Sequence, residues 1–369
     1  MSTIDQPSTI EWVVSSSPHL RERETTSRIM WTVVLALAPA GIWAVWFFGW
    51  PALYVMALCV GSCMATEALV QKMSGRPVTI SDGSAAVTGL LLAYCLHSHS
   101  VVAMADGTQK LILLKWYVPV IGSIAAIAIA KHCFGGLGHN IWNPALVGRA
   151  VVQLSFAKHV SLPQWPWPLG ITAETATDAM TRATALAPSA GPYSVRELFI
   201  GTVPGCLGEV SAFFLLLGAV VLLFRKYIDW RLPLGYLLSL VVLATLFAWS
   251  PNDHLIPWVH DFAVQFKALR AGEVGVSAFG QSWLSFAARQ IFAGGVILGA
   301  FYMATDMVTS PLSHKGQFVY GIGCGVLTAL IRFYAGYPEG VCYSILIMNT
   351  LRPYVDRFTR PRVLGEMKE

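Results

Sequence analysis

The sequence has little charge for its length of 369 residues. Asp, Glu, Lys and Arg make up 12% of it, about half the ~25% that is usual in soluble proteins, whereas apolar residues reach 55%. This shortage of charge argues against an ordinary soluble enzyme. The net charge of +5 does not indicate nucleic-acid binding, because membrane proteins collect Lys and Arg on one face. We therefore expect a chain embedded in the lipid bilayer.

The sequence also lacks the usual catalytic and metal-binding motifs. It has no HExxH motif, nucleophile elbow or phosphate loop, so no residue is expected to be catalytic. The cysteines form no CxxC pair or Cys/His grouping at metal spacing, and we expect them to be small buried side chains. His97 and His99 are expected at the outer surface, in contact with solvent. The seven cysteines are Cys59, Cys63, Cys95, Cys133, Cys206, Cys324 and Cys342.

Long apolar runs dominate what is present. A bilayer core needs roughly 20 apolar residues per helix, and the third and fifth runs are rich in Gly, Ser or Asn, as half-spanning or broken helices are. The sequence predicts an all-α polytopic membrane protein with about ten transmembrane helices. The runs lie at approximately 29–49, 51–71, 84–98, 112–130, 141–157, 209–224, 232–250, 287–303, 317–335 and 339–355.

The distribution of Lys and Arg predicts the orientation of these helices. Most basic residues fall in segments that are cytoplasmic if the N-terminus is inside, and an even number of spans returns the C-terminus to the same side. The polar start of the chain has no short apolar core of a secretion signal. We predict a cytoplasmic segment, a first membrane half, a long extracytoplasmic loop, a second membrane half and a cytoplasmic tail, at 1–28, 29–157, 158–208, 209–355 and 356–369.

The two membrane halves resemble each other. IGSIAAIAIAKHCFGGLGHNIWNPAL at 121–146 resembles GIGCGVLTALIRFYAGYPEGVCYSIL at 321–346, and Lys131 and Gly135 match Arg332 and Gly336 at one constant offset. Each half also has an acid–hydroxyl turn, ISDGSAAVT and ATDMVTSP. Two repeated halves predict a functional site near the midplane, where the repeats meet.

Ionisable residues in the apolar runs are candidate functional groups, because charge is costly in a membrane. Asp82 and Asp306, in the two acid–hydroxyl turns, have two interpretations: they bind a cation or a cofactor, or they cap helix N-termini. Glu67 and Glu209 are either proton or sodium relays or structural residues at the membrane interface, and the interfacial interpretation is favoured.

The segment FGGLGHNIWNPALVGRA at 134–150 combines glycines and asparagines that are poor helix formers. A planar ligand packed against this turn would explain them, and so would tight packing of small residues between helices. The residues that would contact such a ligand are Gly135, Gly136, Asn140 and Asn143.

A polar ribbon, ETATDAMTRATALAPSAGPYS at 174–194, interrupts the apolar runs. Taken alone, its Thr, Ala and Ser residues are typical of an exposed disordered loop.

Across nearly its whole length the sequence resembles the D subunit of the Rnf ion-translocating oxidoreductase complex and its relative, the B subunit of the sodium-pumping NADH:quinone oxidoreductase. The segments that carry the resemblance are RIMWTVVLALAPA (28–40), SDGSAAVTGLLLA (81–93), KHCFGGLGHNIWNPALVGRA (131–150), GEVSA (208–212), WRLPLGY (230–236), GGVILGAFYMATDMVTSP (294–311) and IRFYAGYPEGVCYSILIMN (331–349).

This resemblance implies a flavin mononucleotide (FMN) joined through its phosphate to the hydroxyl of Thr184. The family motif reads Asp, two variable residues, Ser or Thr, usually Gly, then Ala and Thr, and Asp178, Thr181, Ala183 and Thr184 match it. Arg182 replaces the usual Gly, and either pairs with the flavin phosphate or hinders the enzyme that attaches the flavin. The ribbon is then polar because it must enter the active site of that flavin transferase.

The resemblance further implies a fold similar to urea transporters and a second, non-covalent flavin, riboflavin, contacted by the residues of the 134–150 turn and by Asp82. It implies a subunit of a complex in the bacterial cytoplasmic (inner) membrane, with a second flavinylated subunit among its partners, and with ferredoxin and NAD handled by other subunits. The alternatives are the B subunit of the quinone reductase and a non-redox solute transporter or channel. Metal binding is left open.

Overall fold

The computed structural model describes residues 24–103, 109–157, 193–203, 205–209, 211–248, 257–271, 275–335 and 340–360. These residues are mainly helical, and some of the helices are long and apolar enough to cross a membrane. The prediction of a helical membrane protein is therefore confirmed at this level.

The first half of the chain contains short as well as long helices. Its elements are α1 (Thr26–Phe48), α2 (Trp50–Met73), a 3-10 turn (Ile80–Asp82), α3 (Ser84–Tyr94), β1 (His99–Ala103), β2 (Gln109–Leu113), α4 (Tyr117–Ile124), which continues as a π-helix (Ala125–His132), and α5 (Pro144–Ser155). Helices α3 and α5 have 11 and 12 residues, so at about 1.5 Å per residue each is shorter than the bilayer core.

The second half contains a broken helix. Its elements are α6 (Val195–Ile200), α7 (Ala212–Phe224), α8 (Arg231–Ala248), α9 (Pro257–Arg270), α10 (Val276–Phe292), α11 (Val296–Leu298), which continues as a π-helix (Gly299–Met303), α12 (His314–Tyr334) and α13 (Val341–Thr359). The chain bends by 66° between α10 and α11.

Long apolar helices occur in both halves. Within the described residues, α1, α2, α8 and α12 are long and apolar enough to cross a membrane, and the bent pair α10–α11 makes a fifth if it is counted as one span. Helix α3, α7 and the continuous α4–π segment are apolar but shorter.

A β-hairpin, which the sequence analysis did not predict, separates α3 from α4. Strands β1 and β2 are antiparallel, with His99 opposite Leu113, and Leu114 N donates to Ser98 O at 3.0 Å. The predicted span 84–98 therefore runs past the end of α3 at Tyr94, and the predicted span 112–130 begins inside β2. Their apolar residues continue past the ends of the helices, which is why hydropathy alone misplaced these boundaries.

Close approach of helix backbones holds the core together. A Cβ on Gly89 of α3 would lie 2.6 Å from the Cα of Val60 on α2, so only glycine fits there. A Cβ on Gly325 of α12 would collide with the Tyr236 carbonyl of α8 in the same way. Helices α1 and α7, one from each half, meet where Gly218 packs on the backbone of Ala36.

Candidate functional site

A cleft, which we call the central cleft, opens between the start of α1, the start of α3 and the π-helix that follows α11. Residues from both halves of the chain line it. Apolar side chains such as Val33, Leu91 and Phe301 form most of its wall. The polar and charged side chains that line it are Ser84, Thr88, Lys131, Asn140, Asn143, Tyr227, Tyr302, Thr305 and Asp306.

Ser84 enters the cleft because of the turn that precedes α3. Gly83 adopts a left-handed conformation, with φ of 80°, and Asp82 Oδ1 accepts hydrogen bonds from Ser84 N at 2.8 Å and from Ser84 Oγ at 2.7 Å. Asp82 therefore caps the start of α3, one of the two roles predicted for it, and it touches the cleft through Ser84.

The charged centre of the site is a buried ion pair. Lys131 Nζ lies 2.7 Å from Glu67 Oε1 and 2.7 Å from Ser84 Oγ. The side chains of Lys131 and Glu67 are 2% and 1% exposed. The favoured prediction that Glu67 occupies an inexpensive interfacial position is wrong, since the carboxylate is buried against a lysine.

The carboxylate of Glu67 is only partly satisfied. Gln71 Nε2 donates to Oε1 at 3.3 Å, and His132 Nε2 lies 3.6 Å from the same oxygen. In contrast, Glu67 Oε2 is buried and has no hydrogen-bond partner among the described residues. Such an orphan acceptor in the interior of a protein is costly.

The glycine turn after the π-helix shapes the rim of this region without lining the cleft. Gly135 and Gly136 have φ of 121° and 100°, conformations that strongly favour glycine. Arg76 Nη1 donates to Gly135 O at 2.7 Å, which fixes the turn to the segment after α2. The backbone requirement explains these glycines, and their predicted contact with a ligand stays a prediction.

The two predicted asparagines do line the cleft. Asn143 Oδ1 accepts from Ala145 N at 3.0 Å and so caps α5, while its Nδ2 donates to Met303 O at 3.1 Å. This second bond ties the first half of the chain to the second. Asn140 Nδ2 donates to Trp142 O at 3.3 Å.

Asp306 lines the central cleft from the second half of the chain. Its carboxylate accepts from Val308 N at 3.4 Å and from Thr309 Oγ1 at 3.2 Å, so it stabilises a turn. The predicted capping of a helix is wrong for Asp306, because residues 307–309 form a turn and α12 begins only at His314. Burial raises the pKa of Asp306 above its usual value. Arg352 of α13 donates to Val308 O and fixes this turn from outside.

The second buried cation lies at the break between α10 and α11. Arg332 Nη1 donates to the backbone oxygen of Gln290 at 2.9 Å and to its side-chain oxygen at 3.1 Å, and Nη2 donates to Ala293 O at 2.9 Å. Arg332 thus binds carbonyls that the end of α10 leaves without helical partners.

A second cluster of polar side chains lies where residues 205–209, before α7, contact the end of α3. Leu207 N donates to Leu96 O at 3.1 Å, and Gly208 N donates to Tyr94 O at 2.8 Å. His97 and His99 are 3% and 6% exposed, so the prediction that they are solvated is wrong.

This cluster also contains a buried glutamate, Glu209, and a buried cysteine, Cys206. Burial lowers the pKa of His99, and Cys206 Sγ lies 3.8 Å from the ring nitrogens of His97. Glu209 is 9% exposed and faces a small cavity together with Arg149. All the cysteines are free thiols and all except Cys133 are buried, which largely agrees with their prediction as buried side chains.

The predicted covalent flavin site lies outside the described residues. This applies to Asp178, Thr181, Arg182, Ala183 and Thr184. Their roles stay predictions.

The sequence analysis missed Lys131 as a site residue. It used Lys131 only to align the two halves, although a lysine in an apolar run is a functional candidate by itself. Its partner Glu67 is 64 positions away, and no local pattern joins the two.

Apolar helices, a broken helix and a cleft with buried ionisable groups together indicate a multi-pass membrane protein with an internal cleft. The model of the NQR2, RnfD, RnfE family matches residues 13–365, and the chain belongs to this family.

Relatives match the chain over almost its full length. It is 40% identical to the D subunit of the Na(+)-translocating ferredoxin:NAD(+) oxidoreductase complex of Acetobacterium woodii, over 96% of each chain. It is 38% identical to the D subunit of the proton-translocating ferredoxin:NAD(+) oxidoreductase complex of Clostridium ljungdahlii, also over 96% of each chain. The D subunit of the ion-translocating oxidoreductase complex of Stutzerimonas stutzeri is 33% identical over 93% of each chain.

Proposed function

We propose that this chain is the membrane-embedded D subunit of an Rnf-type ferredoxin:NAD oxidoreductase, in which electron transfer drives ion transport. The observation that carries this proposal is the match over 96% of the chain to two relatives named as subunits of ferredoxin:NAD(+) oxidoreductases. The chain acts as one subunit in the bacterial cytoplasmic membrane, while other subunits handle ferredoxin and NAD.

The electron carrier of this subunit is FMN bound covalently to Thr184. The sequence DAMTRAT at 178–184 supports this role, because it matches the family motif and its small side chains leave the Thr184 hydroxyl accessible to a flavin transferase. The flavin supplies the electron-transfer chemistry, and the protein supplies the attachment point and the surrounding charges. The cation of Arg182, two residues before Thr184, pairs with the flavin phosphate.

The mass of the purified chain tests this attachment. We expect the wild-type chain, made in cells with the flavin transferase, to exceed its 40.1 kDa by one flavin mononucleotide less one water. Thr184→Ala should remove this increment and the yellow in-gel fluorescence. Thr177→Ala, which removes a hydroxyl of the same ribbon outside the motif, should keep both. An unmodified wild-type chain would contradict the proposal and favour a solute transporter or channel.

The B subunit of the quinone reductase is the alternative within the family, and the reaction of the purified complex separates the two. Reduction of NAD by reduced ferredoxin is expected for the Rnf type. Oxidation of NADH by a quinone without ferredoxin would support the quinone-reductase alternative.

The fold consists of ten transmembrane helices in two repeated halves, similar to urea transporters. Equivalent contacts in the two halves support the repeat. Tyr94, at the end of α3, donates to Leu37 O of α1 at 2.7 Å, and Tyr302, in the π-helix after α11, donates to Leu215 O of α7 at 2.7 Å.

This arrangement puts both termini in the cytoplasm and residues 158–208 outside. Cysteine substitutions in that loop, in a chain without other accessible thiols, should react with a membrane-impermeant maleimide added to intact cells. A reaction only after lysis would contradict the orientation.

The central cleft takes a second, non-covalent flavin, riboflavin. Its apolar walls suit a planar ring, and Ser84, Lys131 and Asn140 offer polar contacts at its edge. Riboflavin released by acid from the purified complex, in addition to the covalent FMN, is the expected result. Narrowing the cleft with Val33→Trp should reduce the released riboflavin and leave the covalent FMN unchanged.

A further inference from the structure

The Lys131–Glu67 pair combines features that a purely structural ion pair does not need. Lys131 lines the central cleft, and its Nζ contacts both Glu67 and the cleft residue Ser84. Its ammonium group therefore lies between a buried carboxylate and the wall of the cleft. A change in the charge of the occupant acts directly on the pair.

Glu67 has one oxygen free to take a proton. Oε1 receives Lys131 and Gln71, whereas Oε2 is buried without a partner among the described residues. A carboxylate keeps its charge in such surroundings only while a cation compensates it. If Lys131 moves toward the cleft, Glu67 is left with a charge that its surroundings do not support.

The polar and charged groups on the elements packed around Glu67 determine how its carboxylate responds to charge in the cleft. From the π-helix, Lys131 and His132 face it, and Ser84 of α3 is reached through Lys131. Arg76 adds positive charge near His132. On its own helix the neighbouring polar groups are Cys63 and Gln71. His132, exposed by only 7% in its side chain, lies between Glu67 and the glycine turn at the rim, which gives a short route for a proton from the predicted cytoplasmic side.

We propose that Glu67 is the proton-accepting group of the central cleft, held deprotonated by Lys131, and that it takes up one proton when negative charge enters the cleft and draws Lys131 away. The electron comes from the reduced iron–sulfur protein that the complex oxidises and would be accepted by the flavin proposed for the cleft, and the proton comes from cytosolic water. An O–H bond forms at Oε2, Lys131 keeps its proton and charge, and one electron plus one proton leave the net charge of the site unchanged.

This inference rests on the proposed ligand of the cleft, and it makes Lys131 a positioning residue for the charge of Glu67. Carbodiimides test it, because dicyclohexylcarbodiimide reacts with protonated carboxyl groups in apolar surroundings. The readout is the fraction of Glu67 modified in the purified complex, measured by peptide mass spectrometry, under oxidising conditions and after dithionite.

Wild-type Glu67 should be modified slowly when the complex is oxidised and about tenfold faster after reduction, the change in protonated fraction that about 1.4 kcal/mol of lost pairing gives. Lys131→Met should be modified fast under both conditions. Lys72→Met, which changes an exposed lysine on α2, the helix of Glu67, should behave as wild type. The comparison of oxidised with reduced wild type needs no variant, so it tests the proton uptake by Glu67 even if Lys131→Met does not fold.

Two outcomes separate this inference from the proposed ligand. Acid-releasable riboflavin together with equal modification of wild-type Glu67 in both redox states would overturn the proton uptake and leave the ligand standing. Absence of releasable riboflavin together with a redox-dependent modification would overturn the ligand and support the proton uptake. Modification of Lys131→Met that stays as slow as in oxidised wild type would overturn the role of Lys131.

Discussion

Lys131 and Arg332, which the predicted repeat matches to each other, are both buried and have different surroundings. Lys131 lies near the end of the π-helix after α4 and contacts the carboxylate of Glu67 beside an open cleft. Arg332, near the end of α12, donates to the carbonyls of Gln290 and Ala293 at a helix break. The first cation pairs with a carboxylate beside the cleft, and the second binds carbonyl groups at a helix end.

This difference indicates which half of the molecule responds to charge. A cation that pairs with a carboxylate can be drawn away by a competing anion, whereas a guanidinium that bridges backbone carbonyls is a fixed part of the helix end. We therefore expect ligand chemistry on the side of Lys131 and mechanical stability on the side of Arg332.

The largest expected effect comes from Lys131→Met. It should destabilise the protein by about 3–5 kcal/mol, because it removes one partner of a buried ion pair and leaves Glu67 in the interior without its cation, where the carboxyl group has to take up a proton. The measurement is the unfolding midpoint of the detergent-solubilised protein in increasing denaturant. The double variant Glu67→Gln/Lys131→Met should regain most of the loss, and equal midpoints for Lys131→Met and Lys72→Met would disprove the importance of the pair.

Arg332→Met should have a smaller effect, about 1.5–3 kcal/mol, because it removes charge-assisted hydrogen bonds and leaves neutral carbonyls without a donor. Arg332→Lys should fall between Met and wild type, since an ammonium cannot reproduce the fork that reaches both Gln290 and Ala293. The same unfolding assay checks both. A lysine variant as stable as wild type would show that charge alone matters at this end.

Gly89→Ala tests the packing that brings Ser84 to Lys131. The added methyl group would lie 2.6 Å from Val60 Cα and force α3 away from α2, at a cost of about 1–3 kcal/mol. Gly61 of α2 has no atom within 4 Å of such a methyl group. Gly61→Ala should therefore stabilise the helix by about 0.5–1 kcal/mol, and opposite signs for the two variants are the diagnostic result.

The smallest effect is expected for Asn143, which caps α5 and bonds to Met303 O. Asn143→Ala should cost about 1 kcal/mol through the lost cap, plus the contact between the halves. Asn143→Ser keeps a capping oxygen and loses only that contact. If the two variants unfold at the same denaturant concentration, the cap contributes nothing and the contact between the halves accounts for the whole effect.

The sequence predicted the long helices well and the interrupted regions poorly. The run at 29–49 corresponds closely to α1, Thr26–Phe48, because a long apolar stretch has few other stable structures in lipid. The hairpin at 99–113 was missed, since its strands are short and apolar and only their pairing separates them from helix. The bend between α10 and α11 was also missed; Arg332, distant in sequence, donates to a carbonyl at this bend.

The candidate site was predicted in part for the same reason. Asn140 and Asn143 line the central cleft, and their local composition, poor for helix and rich in side-chain amides, had indicated a ligand. The pairing of Glu67 with Lys131 follows from how α2 packs against the π-helix. Spacing along the chain carries no information about that contact.

The meeting of α1 and α7 has a consequence for biosynthesis. Ala36, Ala40 and Ala44 form a buried stripe of small residues on α1, and Gly218 of α7 packs closely on the backbone of this stripe. The ribosome completes α1 long before it makes α7, so the stripe stays in contact with lipid or an insertion factor until α7 has been made. A chain truncated after the first half would leave this stripe uncovered, which makes truncated products natural targets for membrane proteases.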